Sequence, residues 1–139
     1  MYESRTGNTA SAAERMAAEF AREGHEVDVF RAGEVDRHAV VEADIAIIGT
    51  WVDGAILFGH RPGGAARLAN GIPELWDKPT YTYVTYAVRP GNVLVKLNEL
   101  ATSKGANVLG ALELHRRHLD TDAVDYVQGI LAAQQRSAA

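Results

Sequence analysis

A chain of 139 residues that is 47% hydrophobic suffices for one packed domain, and its lack of cysteine excludes disulfides, thiolate metal centres and cysteine nucleophiles. The net charge of −4 argues against nucleic acid, which recruits clustered Lys and Arg. No apolar stretch approaches the roughly 20 residues that span a bilayer, and the amino terminus lacks a signal-peptide layout, so a cytoplasmic protein without a membrane partner is expected.

The first informative segment is Ser4-Arg5-Thr6-Gly7-Asn8-Thr9, which leads straight into an amphipathic stretch. From Thr9 to Glu23, the residues Ala13, Met16, Ala17 and Phe20 fall at helical spacing and predict one buried stripe. Gly24 supplies the stop. A loop that feeds such a helix should follow a buried strand of about five residues. Only Met1, Tyr2 and Glu3 precede Ser4, so the first strand is expected to be truncated, either because the start falls several residues late or because the strand is a stub. Glu26-Val27-Asp28-Val29, ending in Phe30, alternates as a half-exposed strand near a sheet edge. Gly33 to Ala43 reads as a loop and short helix carrying Val35, Val40 and Val41.

Ile45-Ala46-Ile47-Ile48-Gly49 is apolar on both faces, as a strand inside a covered parallel sheet must be. Thr50 to Gly64 reads as a long loop, and Ala65 to Ala69 as a short helix ending near Gly71 and Pro73. Thr80 to Tyr86 is rich in β-branched and aromatic residues and predicts a strand broken by Pro90 and Gly91. Asn92 is a suitable N-cap for a helix burying Val93, Leu97, Leu100 and Ala101, which stops at Gly105. Val108 to Leu112 predicts another short buried strand. Asp120 or Thr121 then caps a last helix with Val124, Val127, Ile130 and Leu131 inward. The expected domain covers 1–133, with Gln134 to Ala139 a frayed tail.

Strands that alternate with helices call for an α/β three-layer sandwich around a parallel sheet. Ligands of such sheets bind beyond the carboxyl ends of the strands, where the strand order reverses. Three loops belong at that edge: Ser4–Thr9, Thr50–Pro62 and Ala87–Asn92. The first turn of a helix carries unpaired N–H groups at the positive end of its dipole, so the hydroxyl-rich first loop suits a phosphate ester. Arg5 is the only cation within it.

Trp51 follows the buried strand and either stacks on a flat aromatic ligand or covers the sheet end. Tyr86 ends the next strand and either faces Trp51 across a slot or packs internally. Asp53-Gly54 can turn and offer backbone groups to a ligand edge, but no second acid pairs with Asp53 for catalysis. Ala87 to Gly91 can present main-chain donors to a polar ring, and Arg89 meets either an anionic partner or solvent. His115, Arg116, Arg117 and His118 form a basic cluster with no carboxylate in register, so no metal site is expected there. His25, His38 and His60 stand alone, and Asp120 with Asp122 suits a helix start.

The Ser-x-Thr-Gly-Asn-Thr loop, the strand ending Gly49-Thr50-Trp51 and the loop after Thr80–Tyr86 together resemble the flavodoxin family. The resemblance runs from Tyr2 to about Leu131. It implies a five-stranded parallel sheet in the order 2-1-3-4-5 with FMN at its carboxyl edge. Carried over by position, Ser4, Thr6, Asn8 and Thr9 would hold the FMN phosphate, with backbone help from Arg5 and Gly7. Thr50, Trp51, Val52, Asp53 and Gly54 would line one side of the ring system, and Tyr86, Ala87, Val88, Arg89 and Gly91 the other. Where the family usually carries acidic and aromatic residues after a Gly-Asp pair, this chain reads Tyr86-Ala87-Val88-Arg89-Pro90-Gly91.

The implied activity is electron transfer between redox partner proteins. An FMN-dependent reductase acting between NAD(P)H and a quinone is the enzymatic alternative, and a cofactor-free interaction domain is another. A receiver-type signalling domain is excluded, because Thr6, Gly7, Thr50 and Trp51 stand where its acids are required.

Overall fold

The computed structural model describes residues 1–53, 61–62 and 64–138. Among them, α1 runs Asn8–Arg22, α2 Arg37–Glu42, β1 Ala46–Asp53, β2 Arg61–Pro62, α3 Ala65–Gly71, β3 Pro79–Tyr86, α4 Val93–Ser103, β4 Asn107–His115 and α5 Leu119–Ala138. The sheet has the order β2-β1-β3-β4. β1, β3 and β4 are parallel, and β2 joins the end of β1 antiparallel through Val52↔Pro62 and Asp53↔Arg61.

Tyr2 adds isolated parallel bridges to both Gly49 and Arg31. Its N–H donates to Phe30 O at 3.0 Å and its carbonyl accepts from Ala32 N at 2.8 Å. On the other side, Glu3 N donates to Gly49 O and Gly49 N to Met1 O, both at 3.1 Å. The residues Met1–Glu3 therefore sit between Arg31 and β1. Counted along the chain, the parallel segments lie in the order 2-1-3-4-5, and the first is indeed a stub.

The segment Glu26 to Phe30 departs from expectation, being irregular rather than a strand. Its pairing partner is the stub, which meets it only at its end, through Phe30 O and the bridge to Arg31, and Val27 and Val29 remain 39% and 41% exposed. β1 conversely runs past Gly49 to Asp53, because β3 pairs with it as far as Trp51↔Thr85 and β2 pairs beyond. The long loop expected from Thr50 thus begins as strand; Gly54, Gly59, His60 and Gly63 lie outside the described residues. β4 is longer than expected and only half buried, since nothing pairs with its outer edge among the described residues.

Helices cover both faces of the sheet. Ala46, Ile48 and Val84 meet Val40 of α2, Leu68 of α3, and Val93, Leu97 and Ala101 of α4 in one core. Tyr81, Tyr83 and Leu114 meet Met16 and Phe20 of α1 and Val127 and Ile130 of α5 in the other. The inward stripe of α1 is Thr9, Ala12, Met16, Glu19 and Phe20, so Ala12 is buried where Ala13 was expected. In α5, Ala123 replaces Val124 in the buried row. That helix continues through the residues expected to fray, and Gln134 donates to the Tyr81 hydroxyl at 2.8 Å.

Glu19 ties α1 to α5. Its carboxylate accepts from Arg22 Nε at 3.1 Å and from Gln128 Nε2 at 2.7 Å. Hydrogen bonding from Arg22, then from Gln128, holds the carboxyl below its ordinary value. A depressed carboxyl stabilises the fold above the unfolded-state value of about 4.3 and stops doing so as pH falls through the lower native value. Urea melts from about pH 6 down to about pH 3 should therefore lose stability more steeply in the wild type than in Glu19→Gln. Parallel pH profiles would show the bridge to be inert.

Candidate functional site

Because the strands are parallel, their carboxyl ends emerge along one edge. The pairs Trp51↔Thr85 and Tyr86↔His115, with Glu3 N bonded to Gly49 O, put Ser4, Asp53, Tyr86 and His115 at that edge. The segments after Glu3 and Tyr86 start there, and β1 ends there at Asp53.

The first loop is closed by its own chemistry. Gly7 adopts the left-handed conformation at φ 95°, open to glycine without a Cβ penalty, and its N–H donates to Ser4 Oγ at 3.2 Å. Gly7 offers no side chain to cap α1, so the N–H groups of the first turn have no side-chain acceptor from the N-cap residue. Arg5, Thr6 and Gly7 are exposed and Asn8 is half-buried, whereas Ser4 and Thr9 are buried. The Thr9 hydroxyl pairs with that of Thr85 at 2.8 Å, and Tyr83 donates its hydroxyl to Thr9 O at 3.1 Å. Thr9 thus fastens the helix start to β3. Burial pushes the Tyr83 phenol far up, keeping it a neutral donor.

Sequence reasoning missed the charged support behind this loop. Arg31 Nη2 donates to Ser4 O at 2.8 Å. Its Nε lies 3.7 Å from Glu3 Oε1, and Arg67 Nε lies 3.3 Å from Glu3 Oε2. The Glu3 side chain is 1% exposed, and among the described residues Oε2 has that ion pair but no aligned hydrogen bond. One signal was available: Arg31 immediately follows the segment read as the second strand, a position that belongs at the carboxyl edge.

Thr50 is fully buried on β1 opposite Val84. Trp51 is half-buried, and its indole Nε1 is buried without a hydrogen-bond partner among the described residues. Gly64 passes close by: a Cβ there would lie 3.2 Å from Trp51 Cη2 and 3.3 Å from Glu3 Cβ. Val52 is half-buried against the α2–α4 core, the Asp53 backbone pairs with Arg61, and Gly54 lies outside the described residues.

Tyr86 is half-buried, and its ring stands edge-on to His115 at 5.1 Å and 86°. No ring contact joins it to Trp51 among the described residues. Alternation gives the reason: Trp51 is opposite Thr85, and the next residue along a strand points to the other face. Ala87, Val88, Arg89 and Gly91 are exposed, with Val88 at 72%. His115 Nε2 lies 2.9 Å from Ala87 O, so the loop is held by a residue that the sequence placed only in a basic cluster. The His115 and His118 rings are 5.8 Å apart, and no group of three or more His, Asp or Glu residues among the described residues is arranged to hold a metal. No helix among them is long and apolar enough to cross a membrane.

A family model described as a flavodoxin domain matches residues 1–97. Comparison with curated protein sequences gives no match. Among solved structures, the two-electron reduced flavodoxin of Megasphaera elsdenii is similar with a TM-score of 0.63 at 20% identity, covering 90% of this chain and 99% of that one. Streptococcus pneumoniae TIGR4 flavodoxin gives 0.69 at 23% identity, with 96% and 95% covered. Oxidised flavodoxin 2 from Bacillus cereus gives 0.69 at 18% identity, with 98% and 95% covered. These likenesses establish the fold, and the family match spans well over half of the sequence. The chain belongs to the flavodoxin family.

Proposed function

We propose that this protein binds FMN at the carboxyl edge of its sheet and exchanges electrons with redox partner proteins in the cytoplasm. The observation that carries the reading is the uncapped start of α1 behind Gly7, faced by the exposed residues Arg5 and Thr6. Its N–H groups and the Thr6 hydroxyl suit a phosphate, and the Trp51 indole N–H is a buried donor with no hydrogen-bond partner among the described residues. The donor set therefore fits the group. The solved relatives in oxidised and two-electron reduced states support the same assignment.

FMN, when bound, supplies one- and two-electron chemistry. The protein's part is to hold and orient it. Ser4, Thr6, Asn8 and the Arg5 amide would hold the phosphate, with the Gly7 amide turning from Ser4 Oγ toward it, while Thr9 anchors the helix start through Thr85. Thr50, Trp51, Val52, Asp53 and Gly54 would belong to one side of the ring site, and Tyr86 to Gly91 to the other. Arg89, Arg116 and Arg117 are exposed beside the third loop and give the rim a positive charge suited to an acidic partner.

Flavin fluorescence quenching on titration with the protein tests the reading. Thr6→Ala should weaken FMN binding about tenfold or more, the worth of a hydrogen bond to a charged group, and leave the melting temperature near wild type. Met16→Ala should do the reverse, losing about 2–5 kcal/mol of stability with FMN affinity kept. Unchanged affinity in Thr6→Ala, with wild-type binding intact, would move the phosphate elsewhere.

A further inference from the structure

We infer that His115 is a positioning residue that latches the third cofactor loop through one neutral tautomer of its imidazole. The inference rests on the FMN reading and names a residue that holds that site's loop in place.

Both ring nitrogens have partners whose roles cannot be exchanged. Ala87 O, 2.9 Å from Nε2, is a carbonyl and can only accept. The Arg117 backbone N–H, 3.2 Å from Nδ1, can only donate. Both contacts are satisfied together only when Nε2 carries the proton and Nδ1 carries none. The ring meets Tyr86 edge-on at 5.1 Å, and His118 N donates to His115 O at 2.9 Å to close the turn beneath it.

The placement explains why a side chain is needed. The β3–β4 ladder ends with Tyr86↔His115 and the bond from Arg116 N to Tyr86 O at 3.0 Å. Ala87 is the first residue beyond that last rung, and it leads into an exposed run through Arg89 that buries little surface. The His115 imidazole replaces the missing backbone donor and extends the sheet by one rung. No peptide bond among the described residues is cis, so turning Ala87 O toward β4 turns the Val88 N–H the opposite way, toward the β1 side of the edge. With Ala87 O held, the direction of that amide is fixed as well.

Amide replacements separate the two contacts, because glutamine restores a donor near the Nε2 position and asparagine an acceptor near the Nδ1 position. His115→Ala and His115→Asn should each bind FMN about tenfold more weakly and shift the Val88 amide resonance of the FMN-free protein, whereas His115→Gln should stay within about threefold of wild type. Nitrogen-15 imidazole shifts of the free wild-type protein should report the Nε2–H tautomer.

An Nδ1–H tautomer would overturn the latch. So would His115→Asn behaving as wild type, or all three variants binding FMN alike while losing thermal stability, which is the mark of a purely structural residue. The amide and tautomer readouts need no cofactor. Failure of wild type to bind FMN, with both readouts as expected, would instead count against the FMN reading and take the cofactor role of His115 with it.

Discussion

Gly49→Ala is expected to destabilise the protein by about 3 kcal/mol, at the upper end of overpacking, and to lower its melting temperature by about 10 °C. A Cβ at position 49 would lie 2.0 Å from Tyr83 Cζ, 2.3 Å from Cε1 and 2.5 Å from Cε2. The ring cannot give way easily. It is 1% exposed, it faces Gly49 across the β1–β3 ladder, and its hydroxyl is bonded to Thr9 O. Tyr83→Leu removes the obstructing atoms at its own cost of about 2 kcal/mol or more. In a double-mutant cycle, the pair should be more stable than the sum of the single losses, since the clash exists only when both side chains are present. Additive losses in thermal melts would mean that the strands shift apart and that the close approach does not constrain the fold.

Removing both Arg31 and Arg67 is expected to cost about 3–5 kcal/mol, because it leaves the buried Glu3 carboxylate without an opposing charge among the described residues. Each arginine alone should cost about 1–2 kcal/mol, since both are partly solvated and the other remains in place. Their side chains are 46% and 66% exposed, against 1% for Glu3. Glu3→Gln in the double-alanine background should restore much of the loss by removing the unpaired charge. Denaturant melts of the four variants decide the matter, and a triple variant no more stable than the double would show that the arginines act through packing alone. The two arginines should also separate in ligand binding. Arg31 also bonds Ser4 O, so Arg31→Ala should loosen the first loop and weaken FMN more than Arg67→Ala does.

The readable part of the site was the first loop. Small hydroxyls and a glycine directly ahead of an amphipathic stretch specify a strand-to-helix turn, and Gly7 takes the conformation that such a turn needs. Trp51 and Tyr86 were each placed near the sheet edge correctly, yet their separation was not readable. Which face each ring takes depends on the β1–β3 register, and a shift of one residue reverses it. Thr9 shows the same limit. The resemblance gave it to the phosphate, and the way α1 lies on β3 pairs its hydroxyl with that of Thr85, a contact no local pattern shows.

By itself, the sequence determined the alternation of strands and helices, the β1 core apolar on both faces, the β-branched and aromatic strand β3, and the hydroxyl-rich turn before α1. Hydrophobic period and turn chemistry are local properties, written within a few neighbouring residues. Only the tertiary structure decided that Arg31 supports Ser4 from 27 positions away and that His115 holds Ala87 from 28. It also decided that a three-residue stub serves as the shared neighbour of Arg31 and β1. Those contacts follow from strand order and register, which bring distant residues to one edge of the sheet through pairings that no local pattern encodes.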